Sequence, residues 1–348
     1  METMTGLWRA NLLPARRIAA MLAVLTTVVA ACSPSAGTDM PSYQTKGAAA
    51  SGDVSTDLTN QTYVPSAQVL AAVAAAQQIQ ELPEGAAQHL VALSRGETDQ
   101  DGPEMCFDRR ETAAPVSDST FGECAYGDPK GTKQMVVYGD SRAPMWAASL
   151  ERVAAISGWQ LRVFAKGGCP VADLQYRSLE TQTHDEDCDK FAPAAIEEIR
   201  KLHPQLVVMA SHSGHRLVDG EMPTPAQWQD GWVSTLQKLA APDTRLAILG
   251  AIPNWENSGA QCVAAHTRDL QECSIEPQNA VNPYFESEKG AAAAAGALYV
   301  DSVPWVCAEK CEPVIADMVV YNDPYHFTKR YGVYLAGAVA EALKPAMA

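Results

Sequence analysis

Met135-Val136-Val137-Tyr138-Gly139-Asp140-Ser141 reads as a short apolar strand that runs into a tight Gly-Asp turn and presents a serine. Far downstream, Asp323-Pro324-Tyr325-His326 places a carboxylate three residues before a histidine, in a polar turn ahead of the last amphipathic stretch. Serine, histidine and aspartate are the groups that turn a weak alcohol into a nucleophile.

Working outward from this strand, four more apolar runs follow: Leu161 to Phe164, Leu206 to Met209, Leu246 to Leu249 and Leu298 to Val300. Helical patterns lie between and after them, at 143–157, 192–202, 225–240, 282–296 and 328–343. Short apolar strands alternating with helices predict an α/β fold, a three-layer α/β/α sandwich of about five parallel strands. Right-handed crossovers then bring the loops that follow the strands to one sheet edge, where ligands bind. Ser141 lies on that edge, and Pro144 suits the first turn of the helix that follows it.

The chain start indicates export. Arg9, Arg16 and Arg17 precede an apolar run from Ile18 to Val29, and small residues lead to Cys32. This is the pattern of a secretory signal over 1–31, too short for a comfortable membrane span. Cysteine directly after the small residues resembles a bacterial lipobox, with Cys32 as the lipidated N-terminus. Residues 32–60 are small, polar and patternless, and read as a flexible tether. Residues 61–133 read as an N-terminal helical and loop extension, and 134–348 as the main domain. No segment after the signal reaches transmembrane length.

The precursor carries a formal charge of −15; residues 1–31 hold three arginines and Glu2, so removing them leaves about −17. Such a balance excludes nucleic acid and anionic lipid head groups as natural partners. Setting aside Cys32, eight of the nine cysteines remain: Cys106, Cys124, Cys169, Cys188, Cys262, Cys273, Cys307 and Cys311. An even number in an exported chain implies disulfides. They fall naturally into sequence neighbours, although eight cysteines allow about 105 pairings.

Gly139-Asp140-Ser141 together with Asp323-Pro324-Tyr325-His326 resembles the SGNH (GDSL-type) hydrolase superfamily. Within it, the resemblance is to the extracytoplasmic SGNH domains fused to membrane acyltransferase type-three proteins. It is carried also by Cys124 to Lys133, by Lys166-Gly167-Gly168-Cys169-Pro170, and by Cys307 to Val314 running into Tyr321 to Thr328. The resemblance implies Ser141 as nucleophile, His326 as base and Asp323 as its orienting carboxylate. It implies an oxyanion hole from the backbone N–H groups of Ser141 and Gly168, with Gly167 as the alternative to Gly168. No cofactor and no metal is implied. The implied substrate is an acylated glycan of the cell envelope, attacked by an esterase or an O-acyltransferase. Attachment is through Cys32 alone, and a separate membrane acyltransferase would deliver the acyl group. A non-catalytic glycan-binding or accessory lipoprotein on the same shell is the competing expectation.

Two departures stand out. The wider superfamily has an oxyanion asparagine after the third strand, where this chain reads Met209-Ala210-Ser211-His212-Ser213-Gly214. Ser211 or Ser213 is the candidate replacement donor. Arg142 stands where the fused branch has histidine, and is a candidate contact for an anionic group. Trp255 and Tyr325 are candidate contacts for sugar and acyl group. His212 and His215 have the i, i+3 spacing of two metal ligands without an acidic third, and substrate contact or a surface position is preferred. His184, at the acidic run Asp185-Glu186-Asp187, reads as part of a solvated loop, and Trp146, Trp228 and Trp232 read as core.

Overall fold

The computed structural model describes residues 63–95, 107–108, 125–255, 259–277 and 283–348. Its centre is a seven-stranded, mostly parallel sheet. The strands are β1 (Phe107–Asp108), β2 (Ala125–Gly127), β3 (Lys133–Gly139), β4 (Trp159–Lys166), β5 (Leu206–Ala210), β6 (Arg245–Leu249) and β7 (Leu298–Val300). Their order is β1-β4-β3-β5-β6-β7, with β2 antiparallel on the same outer edge of β4 as β1. The five expected strands pair in parallel. Two more come from residues expected in the extension: β1 and β2 are too short for periodicity to announce them.

The side-chain period of two divides each strand between two cores. Met135 and Val137 of β3, with Leu206 and Val208 of β5, face one core; Val136, Tyr138, Val207 and Met209 face the other. The first core is covered by α1 (Ser66–Ala76), α3 (Arg142–Ser157) and α9 (Ala336–Met347) through Val69, Trp146, Leu150, Val339 and Leu343. The second is covered by α4 (Glu186–Leu202), α5 (Pro225–Leu239) and α7 (Phe285–Ala295), through Phe191, Ile199, Trp228, Trp232 and Ala291. The outcome is the three-layer sandwich. Trp146, Trp228 and Trp232 are fully buried in it.

Several remaining elements share a smaller core of their own. α2 (Glu84–Ser94) packs beside the hairpin of β8 (Val314–Ile315) and β9 (Met318–Val319), where Val319 N–H donates to His89 Nδ1 at 3.2 Å. Helix α6 (Gly259–Ala265) shares this small core through Val263. The stretch expected as one helix at 328–343 is two, α8 (Lys329–Tyr334) and α9, meeting at Leu335. Gly337 explains the close packing there, since a Cβ would lie 2.1 Å from the Val64 carbonyl.

Helix α4 starts earlier than its apolar pattern. His184 stays in the loop before the helix, while the acidic run begins it: the Asp185 carboxylate caps the helix by accepting from Cys188 N–H at 3.2 Å. Carboxylates in a first turn are favoured by the helix dipole. Disulfides join Cys169 to Cys188, Cys262 to Cys273 and Cys307 to Cys311. Cys106, Cys124 and Cys32 lie outside the described residues, as do the signal and tether.

Strand β3 is flanked by β4 on one side and β5 on the other, so the chain reverses direction across the sheet at β3. Ligand crevices form at such a switch point, beyond the carboxyl ends of the strands. Gly139 closes β3 there, and a Cβ on it would sit 1.9 Å from the Ala210 carbonyl of β5. Only glycine fits. Gly139→Ala should therefore lower the thermal midpoint, by an overpacking cost of roughly 1–3 kcal/mol, and a melting curve unchanged from wild type would contradict this close approach.

Candidate active site

Register brings three loops to one level. Gly139 pairs with Ala165 of β4 and with Ala210 of β5. Ser141, Gly167 and His212 each follow two residues beyond that shared row. Ser141 stands at the N-cap of α3, where the first backbone N–H groups of a helix lack intrahelical partners and the dipole favours negative charge. After β4, the turn from Lys166 to Cys169 is closed by Cys169 N–H to Lys166 O at 3.1 Å. Its third residue, Gly168, has φ of +79°, the value a type II turn needs there.

Asp140 holds the three loops together. Its carboxylate is fully buried. Oδ1 accepts from Arg142 N–H at 2.8 Å; Oδ2 accepts from His212 N–H at 2.7 Å and from the Ser211 hydroxyl at 3.1 Å. Ser211 Oγ in turn accepts from Val171 N–H at 3.1 Å, which reaches the loop after β4. Burial pushes the Asp140 carboxyl up to about 6, against the pull of these hydrogen bonds and of the Arg142 charge.

The histidine arrives on a separate hairpin. Tyr321 and Phe327 form its closing bridge, and Asn322 N–H donates to His326 O at 2.9 Å. Trp255 N–H donates to Pro324 O at 2.8 Å, and the Tyr321 hydroxyl to Pro253 O at 2.7 Å. Phe327 packs edge-on to Trp146 of α3 at 4.8 Å, the helix that begins at Ser141. Thr328 caps α8, its Oγ1 accepting from Tyr331 N–H at 3.2 Å.

These contacts set His326 Nε2 2.8 Å from Ser141 Oγ, and His326 Nδ1 2.9 Å from both Asp323 oxygens. Asp323 Oδ1 also accepts from the Tyr325 and His326 N–H groups, at 2.8 and 2.9 Å. Burial alone would raise the Asp323 carboxyl, but the hydrogen bond and charge of His326 outweigh it and hold it below the ordinary range. An ionised Asp323 keeps a proton on Nδ1 and leaves Nε2 facing the serine hydroxyl. That is the geometry for moving a proton from Oγ to imidazole.

A cleft of about 480 Å³ opens over these groups, lined by Ser141, Gly167, Gly168, His212, Tyr325 and His326 among others. Of the candidate contacts, Tyr325 lines it and is half exposed. Trp255 does not: it is buried against Tyr321 at 4.8 Å, with its Nε1–H on Cys273 O at 3.3 Å. An apolar ring beside the hairpin serves the core rather than a sugar. Arg142 is also buried, donating from a terminal nitrogen to Asn254 Oδ1 at 2.6 Å, and burial lowers its pKa. Neither Arg142, Ser211 nor Ser213 lines the cleft. Asp140 and Asn254 received no assigned role from sequence, the strand-end position of Gly139-Asp140 being the available signal; His212, read there as a substrate contact or surface histidine, lines the cleft.

With this geometry in view, the comparisons identify the class. The family model described as the SGNH domain fused to AT3 domains matches residues 105–341. The chain belongs to that family, an ester-acting class of hydrolases and acyltransferases. Among solved structures, the periplasmic domain of a Salmonella ser. Paratyphi A lipopolysaccharide acetyltransferase matches with a TM-score of 0.54 and 16% identity, over 73% of this chain and 96% of that one. A carbohydrate acetylesterase of Sinorhizobium meliloti matches with a TM-score of 0.39 and 11% identity, over 62% and 99%. No curated protein sequence matches the chain significantly.

The Asp140 carboxyl gives a signed pH dependence. Its folded value of about 6 lies above the ordinary 3.8, so the folded protein binds more protons than the unfolded chain between these values. Stability from this group therefore falls as pH rises through that window. The thermal midpoint of wild type relative to Asp140→Asn should decline between about pH 4 and about pH 6. A difference independent of pH would contradict the raised carboxyl.

Proposed function

We propose that this chain is an exported, lipid-anchored serine esterase or O-acyltransferase that acts on acylated cell-envelope glycans through an acyl-enzyme. The observation that carries the reading is the unbroken relay from Asp323 through His326 to Ser141, at 2.9 and 2.8 Å. Family membership supports it, because the family takes its description from fusion to AT3 domains.

Ser141 Oγ attacks the acyl carbonyl carbon while its proton passes to His326 Nε2. The carbonyl electron pair moves onto oxygen, facing the N–H groups of Ser141 and Gly168. As the pair returns, the bond to the leaving alcohol breaks, and His326 returns the proton to that alcohol. A sugar hydroxyl or water then accepts the acyl group from Ser141 by the same steps in reverse. Tyr325, half exposed at the cleft, is the side chain placed to meet the acyl or sugar portion. Arg142 lends positive charge from below rather than a direct contact.

In this reading 1–31 is removed, Cys32 carries the lipid, and 32–60 tethers the domain outside the membrane. The described residues contain no helix long and apolar enough to cross a membrane. A separate membrane acyltransferase supplies the acyl group where the chain acts as a transferase.

Turnover of p-nitrophenyl acetate tests the relay. Ser141→Ala and His326→Ala should each lose roughly 10³-fold or more in kcat, and Asp323→Asn about 10²–10⁴-fold. Full turnover by Ser141→Ala would reject the acyl-enzyme. Metabolic labelling with an alkynyl fatty acid tests the anchor: label should appear on wild type and vanish in Cys32→Ala, whereas label retained by that variant would place the lipid elsewhere.

A further inference from the structure

His212 stands between the two serines that the sequence offered as an additional donor, and it alone of the three lines the cleft. Both neighbours are accounted for. Ser211 spends its hydroxyl on Asp140 and its lone pair on Val171 N–H. Ser213 is buried away from the cleft. His212 follows β5 by the same two residues that separate Ser141 from β3, from a row in which Gly139 and Ala210 pair. Its backbone is fixed to the nucleophile's turn by the bond from His212 N–H to Asp140 Oδ2 at 2.7 Å.

The ring is equally constrained. Gly214 N–H donates to His212 Nδ1 at 3.0 Å, so Nδ1 carries the lone pair and a neutral ring bears its proton on Nε2. The ring lies so close over Gly214 that a Cβ there would meet Cε1 at 2.3 Å. Tyr325 packs edge-on to it at 5.0 Å. Nε2 is buried and has no hydrogen-bond partner. A buried donor left unpaired costs about 1–3 kcal/mol, and an acceptor brought by a ligand recovers it.

Resting on the acyl-enzyme reading above, we propose that His212 Nε2–H is a donor to the oxyanion formed when Ser141 attacks the acyl carbonyl. The attack forms the Ser141 Oγ–carbon bond, sends the carbonyl π pair to oxygen and passes the serine proton to His326. A donor on the cleft wall beside that oxygen stabilises the charge as it develops. Neutrality suits the role. Burial, then the charge of Arg142 and the neighbouring His215 and His326, hold the His212 pKa down to about 2. A cation at His212 would oppose the protonation of His326 that the attack requires.

The test compares two amides with wild type on p-nitrophenyl acetate. Asparagine places its side-chain oxygen where Nδ1 is, and keeps the Gly214 bond without a donor at the Nε2 position. Glutamine places its amide nitrogen near the Nε2 position. His212→Asn should lower kcat by about 10²-fold with KM changed by less than about threefold. His212→Gln should recover about tenfold of that loss. Because a neutral donor does not titrate in the working range, the acid limb of the pH–rate profile should be unchanged in His212→Asn. A kcat for His212→Asn within about threefold of wild type, equal losses in both variants, or a displaced acid limb would each overturn the assignment. Wild-type turnover abolished by Ser141→Ala keeps the acyl-enzyme reading intact in all three cases. Turnover that survives Ser141→Ala overturns that reading, and the His212 role with it.

Discussion

One buried carboxylate fixes the ligand edge of this protein. Asp140 places no atom in the cleft, yet it accepts from the backbone of Arg142, the backbone of His212 and the hydroxyl of Ser211. Through these bonds the loops after β3 and β5 become one unit, and Ser211 extends it to the loop after β4. Burying a carboxylate is costly unless its oxygens are satisfied, and here three donors compensate. An amide would turn one acceptor into a donor facing N–H groups. The aspartate of the Gly-Asp-Ser turn is therefore as much a structural requirement as the glycine, which alone tolerates the Ala210 carbonyl.

The second requirement is that a turn nearly two hundred residues later meets this unit within hydrogen-bond reach. Apolar packing achieves it. Phe327 rests on Trp146, Tyr321 on Trp255, and α8 on α3, where the Ser149 hydroxyl donates to Gly332 O at 2.5 Å. The helix that presents Ser141 is thus also the floor on which the histidine hairpin stands. Positions set by a shared helix keep the relay short without loops having to find each other, as preorganised proton transfer requires.

The central strands and the relay were legible because each carries a strong local signal. Val136-Val137-Tyr138 and Leu206 to Met209 are apolar at every position, as a strand buried on both faces must be. Asp-x-x-His fits in a single turn. What escaped the sequence depends on distant partners. β1 and β2 are two and three residues long and exist only because β4 offers them an edge. Trp255 and Arg142 carry chemistry suited to ligands, and only the fold shows that Tyr321 and Asn254 occupy them. His212 read as a substrate contact or surface histidine in a metal-like spacing; its tautomer follows from a loop bond to Gly214. The acidic run at 185–187 was legible in principle, as a helix start awaiting carboxylates.

The central claim is that Ser141 is the nucleophile activated by His326 and Asp323. The most direct measurement is intact-mass and peptide analysis of the protein after reaction with a fluorophosphonate ester. The account predicts one phosphonyl group per chain, on the peptide containing Ser141, with labelling slowed in His326→Ala. An unmodified wild-type protein, or a label on another residue, would contradict it.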